Sequence, residues 1–405
     1  MDRTERQLEG IKKWTNAGGK GTWVWGTGIG KTRGTLTLIQ KLIKVNPKLF
    51  VLIIVPTDFL KEQWQRQLIE WNMFLNCKVE IINSAIKKEW SCDLFVQDEC
   101  HQYVSETFKK IFEVVSYKMI LCLTGTLERL DGKEILIKKY APVCDTITLE
   151  EASKNGWVAN SKEYAVMIDV DLSEYDQWNQ EFNRCFSWFD YDFNIAMKCA
   201  TDYKARIAYA KRSGLVIKDV TAIAMSWMNC LRKRKAFIQS HPKKIEIAKK
   251  ILDARKNKKC IAFAATIKDA ELIGCDYVLH SKQSKKKNRE VLDHFNAELT
   301  GSIGSSKALD VGADIPGLSV GIILSTDSSK IRKTQRVGRT IRFEPGKNAE
   351  VFTLLIRGTQ DVTWFNNSVN SSYTVINEEQ LEQILNGEQL ETRQHETLTD
   401  KTYRF

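Results

Sequence analysis

The first candidate site is a glycine-rich loop that begins where a strand-like run, residues 22–25, ends. The loop reads Gly26-Thr27-Gly28-Ile29-Gly30-Lys31-Thr32 and opens a helical segment. Glycines let backbone N–H groups turn toward phosphate oxygens, and a helix N-terminus adds partial positive charge. In such a loop Lys31 reaches the β- and γ-phosphates, and the hydroxyl of Thr32 holds Mg²⁺. The loop therefore predicts a phosphate-binding site rather than an ordinary turn, although Trp25 stands where the strict pattern has glycine.

Two adjacent carboxylates follow a second strand-like run, at residues 92–97. This run ends in Asp98-Glu99-Cys100-His101. Neighbouring carboxylates at a strand end are seldom structural, because burying them without partners is costly. A phosphate loop needs such a pair, with Asp98 holding Mg²⁺ and Glu99 polarising the attacking water. The alternative interpretation is a solvated junction between a strand and a loop.

A third motif lies near the other end of the chain, at residues 335–342. It reads Gln335-Arg336-Val337-Gly338-Arg339-Thr340-Ile341-Arg342. Arg339 and Arg342 are three residues apart, a spacing that puts both on one face of a helix. Arginines directed at a γ-phosphate stabilise the charge that develops in the transition state. Taken alone, this motif would indicate only a basic helix end on a solvated face.

In their order along the chain, these three motifs resemble those of superfamily 2 of the helicases. The resemblance covers roughly residues 3–360 and is closest to the XPB/UvsW-type branch at residues 126–132 and 338–342. Gly125 departs from the usual pattern of motif III. Four further matches are Arg6-Gln7 (the adenine-reading Q-motif region), Val55-Pro56-Thr57 (motif Ia), Leu123-Thr124-Gly125-Thr126 (motif III) and residues 309–316 (motif V).

The resemblance implies a role for each matching residue. Glu99 is then the catalytic base, and Arg339 and Arg342 are arginine fingers that act in cis. Thr32 and Asp98 would hold Mg²⁺. ATP would contact the loop at 26–32 together with Gln7 and Asp314. The residues expected to couple the nucleotide to domain closure are His101, Thr124, Thr126 and Gln335, and those expected to contact nucleic acid are Pro56, Thr57 and Ser306.

The composition is that of a globular protein of two or three domains. The chain has 405 residues, of which 43% are hydrophobic, and its net charge of +11 suits a polyanionic partner. The ten cysteines include no C-x-x-C spacing, so they indicate neither a zinc site nor a disulfide framework. The N-terminus lacks the apolar segment of a signal peptide. We therefore expect a cytoplasmic protein, located in the host cytoplasm if a phage encodes it.

Strand-like and helix-like segments alternate over residues 20–150 and again over 241–360. Such alternation is typical of an α/β fold, in which a parallel sheet has helices on both faces and binds ligands at the carboxyl ends of its strands. We predict two doubly wound parallel-sheet domains in tandem, which the family resemblance makes RecA-like. The predicted units are a first domain at 1–150, a mostly helical linker or insertion at 151–240, a second domain at 241–360 and a partly disordered C-terminal extension at 361–405.

The middle segment has two features that allow more than one interpretation. Aromatic side chains recur at helical spacing and are expected to be core packing between helices, with a stacking platform for nucleic-acid bases as the alternative. Basic runs occur at 232–235 and 285–289, where a solvated face is the ordinary interpretation and phosphate contact the other. The aromatic residues are Trp178, Phe182, Phe186, Phe189 and Phe193.

Together these observations predict an ATP- and Mg²⁺-dependent helicase or translocase that unwinds or remodels nucleic acid. DNA, including branched or forked DNA, is favoured over RNA, and protein partners would belong to replication, recombination or repair. One alternative is an ATP-switched clamp that does not separate strands. Another is the motor subunit of a restriction-type complex, although no convincing nuclease constellation is present. The small size suggests an origin in a phage or mobile element.

Overall fold

The computed structural model describes residues 2–26, 28–127, 132–280, 282–306, 315–325, 348–368 and 373–388. Within these ranges the chain forms two sheets, and every strand pairing in them is parallel. Hydrophobic clusters lie on both faces of each sheet, where helices cover it. The prediction of two parallel-sheet α/β domains is confirmed.

The first sheet has the order β3-β2-β4-β5-β1-β6 in the part of the chain described. Asp98 lies opposite Leu123, and Val24 lies opposite Thr124, so β1, β4 and β5 end side by side. This register brings the loop at 26–32 and the carboxylate pair to one edge of the sheet. The strands are β1 Lys20–Trp25, β2 Val51–Val55, β3 Cys77–Ile81, β4 Trp90–Asp98, β5 Val115–Thr124 and β6 Val143–Ile147.

Burial on both faces explains the composition of the central strands. All five residues of β2 are apolar and fully buried, as expected for a strand covered by helices on each side. Helix Lys31–Val45 turns Leu36, Leu38 and Ile39 toward the sheet. The other helices around this sheet are Arg3–Asn16, Asp58–Glu70, Ile82–Ala85, Ile111–Val114, Ile135–Tyr140 and Leu149–Lys154, with 3₁₀ turns at Cys100–Gln102 and Phe108–Lys110.

The second sheet has the order β13-β7-β12-β11-β8-β10-β9 among the described residues. Its strands are β7 Asn160–Ile168, β8 Lys259–Phe263, β9 Tyr277–Leu279, β10 Gly301–Ser305, β11 Leu318–Ile323, β12 Asn348–Ile356 and β13 Thr374–Ile376. Its helices are Pro242–Ala254, Ile267–Leu272, Lys285–Ala297, Gln360–Ser368 and Glu378–Leu385.

Two of these strands correct the boundaries expected from the sequence. β7 lies within 151–240, and β13 lies within 361–405, yet both belong to the second sheet. β7 begins with polar residues, which obscured its pattern, but its whole length pairs with β12. β10 has only one large apolar residue, because its backbone packs closely against the helix Ile267–Leu272. A Cβ on Gly304 would lie 3.1 Å from the Ala270 carbonyl oxygen. The predicted disorder at the chain end falls on residues 389–405, outside the described ranges.

The middle segment forms four helices: Ser173–Ser187, Phe193–Thr201, Tyr203–Ser213 and Ile217–Gln239. The segment is mostly helical, as predicted, but its helical stretches at 174–199 and 204–239 are each interrupted. The first breaks where Asp190 and Tyr191 adopt left-handed φ values of 52° and 56°, and the second breaks at Gly214, whose φ is 72°. Left-handed residues end a helix because they cannot continue its hydrogen-bond pattern.

The aromatic residues of the middle segment divide between core and surface. Phe186 and Phe189 are buried in one cluster with Trp227, and Phe182 packs against that cluster. Phe193 lies beyond the helix break, and its side chain is 49% exposed. The core-packing prediction is thus confirmed for Phe182, Phe186 and Phe189.

The two sheet domains touch each other. Phe59 and Leu149 of the first domain pack against a hydrophobic cluster of the second, and Arg289 forms an ion pair with Glu62. In the described part of the chain, we find no helix with the length and hydrophobicity that crossing a bilayer requires.

Candidate active site

The glycine-rich loop has the backbone that a phosphate cradle requires. Gly28 and Gly30 have φ values of 89° and 94°, a region that side-chain-bearing residues rarely adopt. Gly30 precedes helix Lys31–Val45, and no side chain in the described ranges caps that helix. The first N–H groups of the helix are therefore available to an anion. Thr27 lies outside the described residues.

Helix Arg3–Asn16 holds this loop in place. The Gln7 amide donates a hydrogen bond to the Ile29 carbonyl oxygen at 2.9 Å. The Arg3 guanidinium donates to the carbonyl oxygens of Ile29 at 3.0 Å and of Gly28 at 2.7 Å. A Cβ on Gly30 would lie 2.6 Å from the Gln7 amide nitrogen, so glycine is also required by the close packing.

The structure explains why tryptophan is tolerated at position 25. The Trp25 ring stacks on Trp23 with 4.3 Å between centroids, and its N–H donates to Asp145 at 2.8 Å. Two glycines make room for it, because a Cβ on Gly10 or Gly34 would lie 2.3 or 2.9 Å from the ring. The contacts of Trp25 therefore fix the start of the loop, whereas a glycine at this position would make none of them.

Lys31 and Thr32 occupy the first turn of the helix after the loop. The Lys31 ammonium donates to the Trp25 carbonyl oxygen at 3.1 Å, so its side chain lies back across the loop. From this position the ammonium is inside the curve of the backbone where phosphates bind in such loops.

Asp98 is a buried carboxylate at the end of β4. One oxygen accepts a hydrogen bond from the Trp64 indole at 2.9 Å, and the other accepts from the Glu99 backbone at 3.0 Å. Burial, with the Glu99 charge next, raises the pKa of Asp98 to about 6, while Trp64 and the positive charge of Lys31 oppose this shift. A cation placed here would restore the ionised form.

Glu99 has an unusual backbone conformation. Its φ is 50°, which is uncommon for a residue with a side chain. Its Oε2 atom is buried and has no hydrogen-bond partner among the residues described. The Nδ1 atom of the His101 ring lies 3.4 Å from this oxygen. A buried acceptor without a partner is well placed to receive a proton from water.

His101 connects this carboxylate to the end of the neighbouring strand β5. Its Nδ1 atom lies 3.0 Å from the Thr124 hydroxyl. That hydroxyl donates to the Thr126 carbonyl oxygen at 2.6 Å and accepts from the Thr126 N–H at 3.3 Å, which leaves it one further acceptor position toward His101. The structure thus brings Glu99, His101, Thr124 and Thr126 into one polar chain.

The residues present fit a magnesium nucleotide. Nowhere in the described ranges do three or more His, Cys, Asp or Glu side chains converge to hold a metal ion by themselves. This matches the usual magnesium site, where one or two carboxylates act together with substrate phosphates and water. Asp98 is the carboxylate in reach of the loop, and Thr32 is the hydroxyl that the motif supplies.

The remaining predicted residues are only partly described. Pro56 and Thr57 follow β2, and the Thr57 hydroxyl accepts a hydrogen bond from the Leu60 N–H, capping helix Asp58–Glu70. Ser306 is buried directly after β10. Four predicted site residues, besides Thr27, lie outside the described ranges: Asp314, Gln335, Arg339 and Arg342.

Some residues that shape the site were not predicted from the sequence as site residues. Arg3 holds the loop, and Asp145 receives Arg6 at 2.8 Å as well as Trp25. Trp64 holds Asp98, as described above, and the Tyr103 hydroxyl donates to the Asp98 carbonyl oxygen at 2.7 Å. Asp145 could have been noticed as an acidic residue in a strand-like run. Arg3 carries no sequence signal that distinguishes it from other basic residues.

Two family models match the chain. Residues 1–91 and 83–129 match the model described as type III restriction enzyme, res subunit. Residues 243–344 match the model described as helicase conserved C-terminal domain, a range that includes the arginine motif.

A curated relative and several solved structures are similar to the chain. It is 24% identical over 387 residues to the DNA 3'-5' translocase XPB2 of Sulfurisphaera tokodaii, covering 89% of this chain and 83% of that protein. S. cerevisiae Dbp5 bound to RNA and ADP BeF3 has a TM-score of 0.61 at 13% identity, covering 94% and 92% of the two chains. The Pyrococcus furiosus Hef helicase domain has a TM-score of 0.54 at 14% identity, covering 89% and 98%.

The family models and the XPB2 relative, together with the motifs, show that the chain belongs to superfamily 2 of the helicases and is similar to the XPB-type branch. This confirms the family predicted from the sequence. The structural likenesses add the fold alone.

Proposed function

We propose that this superfamily 2 protein is an ATP-dependent DNA translocase that hydrolyses ATP at the carboxyl edge of its first sheet. The observation that carries this proposal is the buried Glu99 oxygen, which lies without a hydrogen-bond partner in the described part of the chain beside Asp98 and the phosphate loop. A buried carboxylate oxygen without a hydrogen-bond partner lowers the stability of the fold. Its presence here therefore favours a role in the reaction.

Each residue of the site then has a defined task. Lys31 exchanges the Trp25 carbonyl for phosphate oxygens, and the free N–H groups of its helix bind the same phosphates. Asp98 and Thr32 would hold Mg²⁺, which supplies positive charge to the β- and γ-phosphates when bound. Glu99 accepts a proton from the water that attacks the γ-phosphorus, and ADP is the leaving group. Gln7 supports the loop and faces the nucleotide, while Asp314 would add a contact from the second domain.

The polar chain through His101 supports a role in coupling. The His101 ring contacts both Glu99 and Thr124, so a change at the γ-phosphate is felt at the segment after β5. We assign His101, Thr124 and Thr126, with Gln335 from the second domain, to this coupling. Closure of the two domains on ATP would bring Arg339 and Arg342 toward the phosphates.

The comparisons favour DNA as the substrate. The XPB2 relative is named a DNA translocase, and the similarity covers most of its length. Pro56, Thr57 and Ser306 follow strands β2 and β10, where a nucleic-acid backbone would pass by family resemblance. The clamp and restriction-motor alternatives are not favoured, since the family model described as a type III restriction enzyme subunit matches only the part of the chain up to residue 129. Partners in replication, recombination or repair and an origin in a phage stay predictions.

The test is ATP turnover with single-stranded, duplex, forked and branched DNA and with RNA, beside strand displacement. We expect DNA to stimulate turnover. Glu99→Gln should keep nucleotide binding but lower kcat by about 10²–10⁴, because an amide cannot accept the proton. Glu89→Gln, at an exposed site in the same domain, is the matched control. Near-normal turnover by Glu99→Gln, or no response to any nucleic acid, would contradict the proposal.

A further inference from the structure

A cavity that is separate from the candidate active site lies at the edge of the first sheet opposite the phosphate loop. It has a volume of about 810 Å³ and is formed where β1, β5 and β6 begin. Lys20 is the first residue of β1, and Tyr117 is the third residue of β5. Helix Ile135–Tyr140 contributes Lys139 and Tyr140. Nothing in the catalytic arrangement uses these residues.

The polar groups lining this cavity are suited to an anion. No acidic side chain is among the described residues that line it. Lys20 and Lys139 are exposed, and neither forms an ion pair within the described ranges, whereas Lys13 is neutralised by Glu9 at 3.0 Å and Asp145 at 2.9 Å. Two ammonium groups without acidic partners among the described residues therefore line the same space, with that of Lys139 over the Tyr140 ring, and an anion bound between them would relieve their repulsion.

Two tyrosines give the cavity fixed walls. The Tyr140 ring stacks on Phe112 with 4.4 Å between centroids, and the Tyr117 ring packs on Phe95 at 5.4 Å. Neither hydroxyl has a hydrogen-bond partner in the part of the chain that the structure describes. The hydroxyls are thus available as donors, and the packed rings limit the entropy lost on binding.

The cavity is separate from the ATP site. Helix Arg3–Asn16 places Arg3 and Gln7 on the phosphate loop and Lys13 and Asn16 on the cavity. A helix of 14 residues is about 20 Å long, so a single phosphate group in one site does not occupy the other.

We infer that this cavity is a second binding site, for a phosphate group flanked by a sugar or base. The cavity volume of about 810 Å³ lies in the range of small-ligand pockets. A ligand as small as a carboxylate group would leave most of this volume empty. Lysine is a common phosphate ligand as a point charge, and tyrosine provides both a donor and a surface for stacking. The phosphate can come from a free nucleotide or from a nucleic-acid backbone.

The experiment uses the full chain with Lys31→Ala, which silences the phosphate loop and makes the test independent of ATP hydrolysis. Inorganic pyrophosphate is titrated by calorimetry, and a fluorescent 12-residue oligothymidylate is titrated by anisotropy at several salt concentrations. Lys20→Ala with Lys139→Ala is compared with Lys41→Ala with Lys88→Ala, two exposed lysines of the same domain without ion pairs in the described ranges. Melting curves check that each variant folds.

The cavity pair should weaken pyrophosphate at least tenfold relative to the control pair, and Tyr140→Phe about fivefold, because only a hydroxyl donor is lost. A loss confined to pyrophosphate identifies a free phosphate ligand. A salt slope reduced by about 1.4 with the oligonucleotide identifies two backbone contacts. No effect in either arm, or an equal effect in the control pair, overturns the inference. Failure of ATP turnover in the unmodified chain would leave these results unaffected.

Discussion

The carboxyl edges of the two sheets both bury charged side chains, but they do so in different ways. In the second sheet, Lys244 and Asp361 are each 0% exposed, and their charged atoms lie 2.5 Å apart. The Lys244 ammonium also donates to the Leu324 carbonyl oxygen at 2.9 Å, and the Ile356 N–H donates to the Asp361 carboxylate at 3.1 Å.

At the end of β4 in the first sheet, by contrast, two neighbouring charges have the same sign. Asp98 and Glu99 are adjacent, the pKa of Asp98 is raised, and a Glu99 oxygen lacks a hydrogen-bond partner among the residues described. A buried pair of opposite charges that is hydrogen-bonded maintains structure. Two like charges repel each other, and this repulsion is relieved when a cation binds or when one carboxylate takes up a proton. The two edges therefore differ: one holds a charge-balanced pair, and the other holds the carboxylates for which we propose a catalytic role.

The largest expected effect tests whether the second domain also contributes to catalysis. Arg342→Ala should lower kcat for ATP by about 10³ at saturating DNA, because an arginine finger stabilises transition-state charge. Arg342→Lys should not restore activity, since an ammonium lacks the planar fork. The measurement is steady-state ATP turnover with a melting curve for each variant.

Arg232→Ala, at an exposed arginine of helix Ile217–Gln239, is the control for this substitution. An unchanged kcat in Arg342→Ala, or a loss explained by unfolding, would mean that the arginine motif is a basic surface. The first domain would then perform catalysis without the second, and the contrast between the two edges would be complete.

The sequence predicted that the candidate catalytic residues meet at one sheet edge, because contiguous motifs carry them; their catalytic roles stay a prediction. Gly28, Lys31 and Asp98 each follow a recognisable strand, and parallel strands end at a common edge. The structural pair Lys244–Asp361 was not predicted, because its partners are 117 residues apart and neither has a local signal. The strands β7 and β13 were not predicted for the same reason. Whether these residues form strands depends on long-range pairing, of β7 with β12 and of β13 with β7.

The second prediction concerns this structural pair. Asp361→Ala leaves the Lys244 ammonium buried without its counter-charge and should destabilise the second domain by about 3–5 kcal/mol. Lys244→Met combined with Asp361→Leu should recover most of that loss, because it removes both charges. The measurement is chemical denaturation, with Glu106→Ala as a control that breaks an exposed ion pair and should leave the stability nearly unchanged. Equal stability of Asp361→Ala and the unmodified protein would contradict the structural role.

The third prediction uses the raised pKa of Asp98. A carboxyl whose pKa rises from 3.8 to about 6 on folding stabilises the fold fully below pH 4, and this contribution is lost as the pH rises through 6. Asp98→Asn should therefore be more stable than the unmodified protein at pH 7.5, by roughly 3 kcal/mol at most. The difference should shrink as the pH falls toward 4, and ATP turnover should be lost at every pH. Unfolding free energies measured without nucleotide at pH 4.5–7.5 check this, and a difference that does not vary with pH would refute it.

The smallest effect is expected at Arg3, which lies at the catalytic edge but makes only supporting contacts. Its guanidinium donates to the Gly28 and Ile29 carbonyl oxygens, so Arg3→Ala removes two hydrogen bonds from the phosphate loop while Gln7 still holds Ile29. Each such bond is worth about 0.5–1.5 kcal/mol, which predicts a rise in KM for ATP of about tenfold with little change in kcat. Arg66→Ala, at an exposed arginine of helix Asp58–Glu70, should leave both constants unchanged. A fall in kcat with constant KM would instead place Arg3 among the groups that act in the transition state, and the distinction between supporting and catalytic residues at this edge would have to be redrawn.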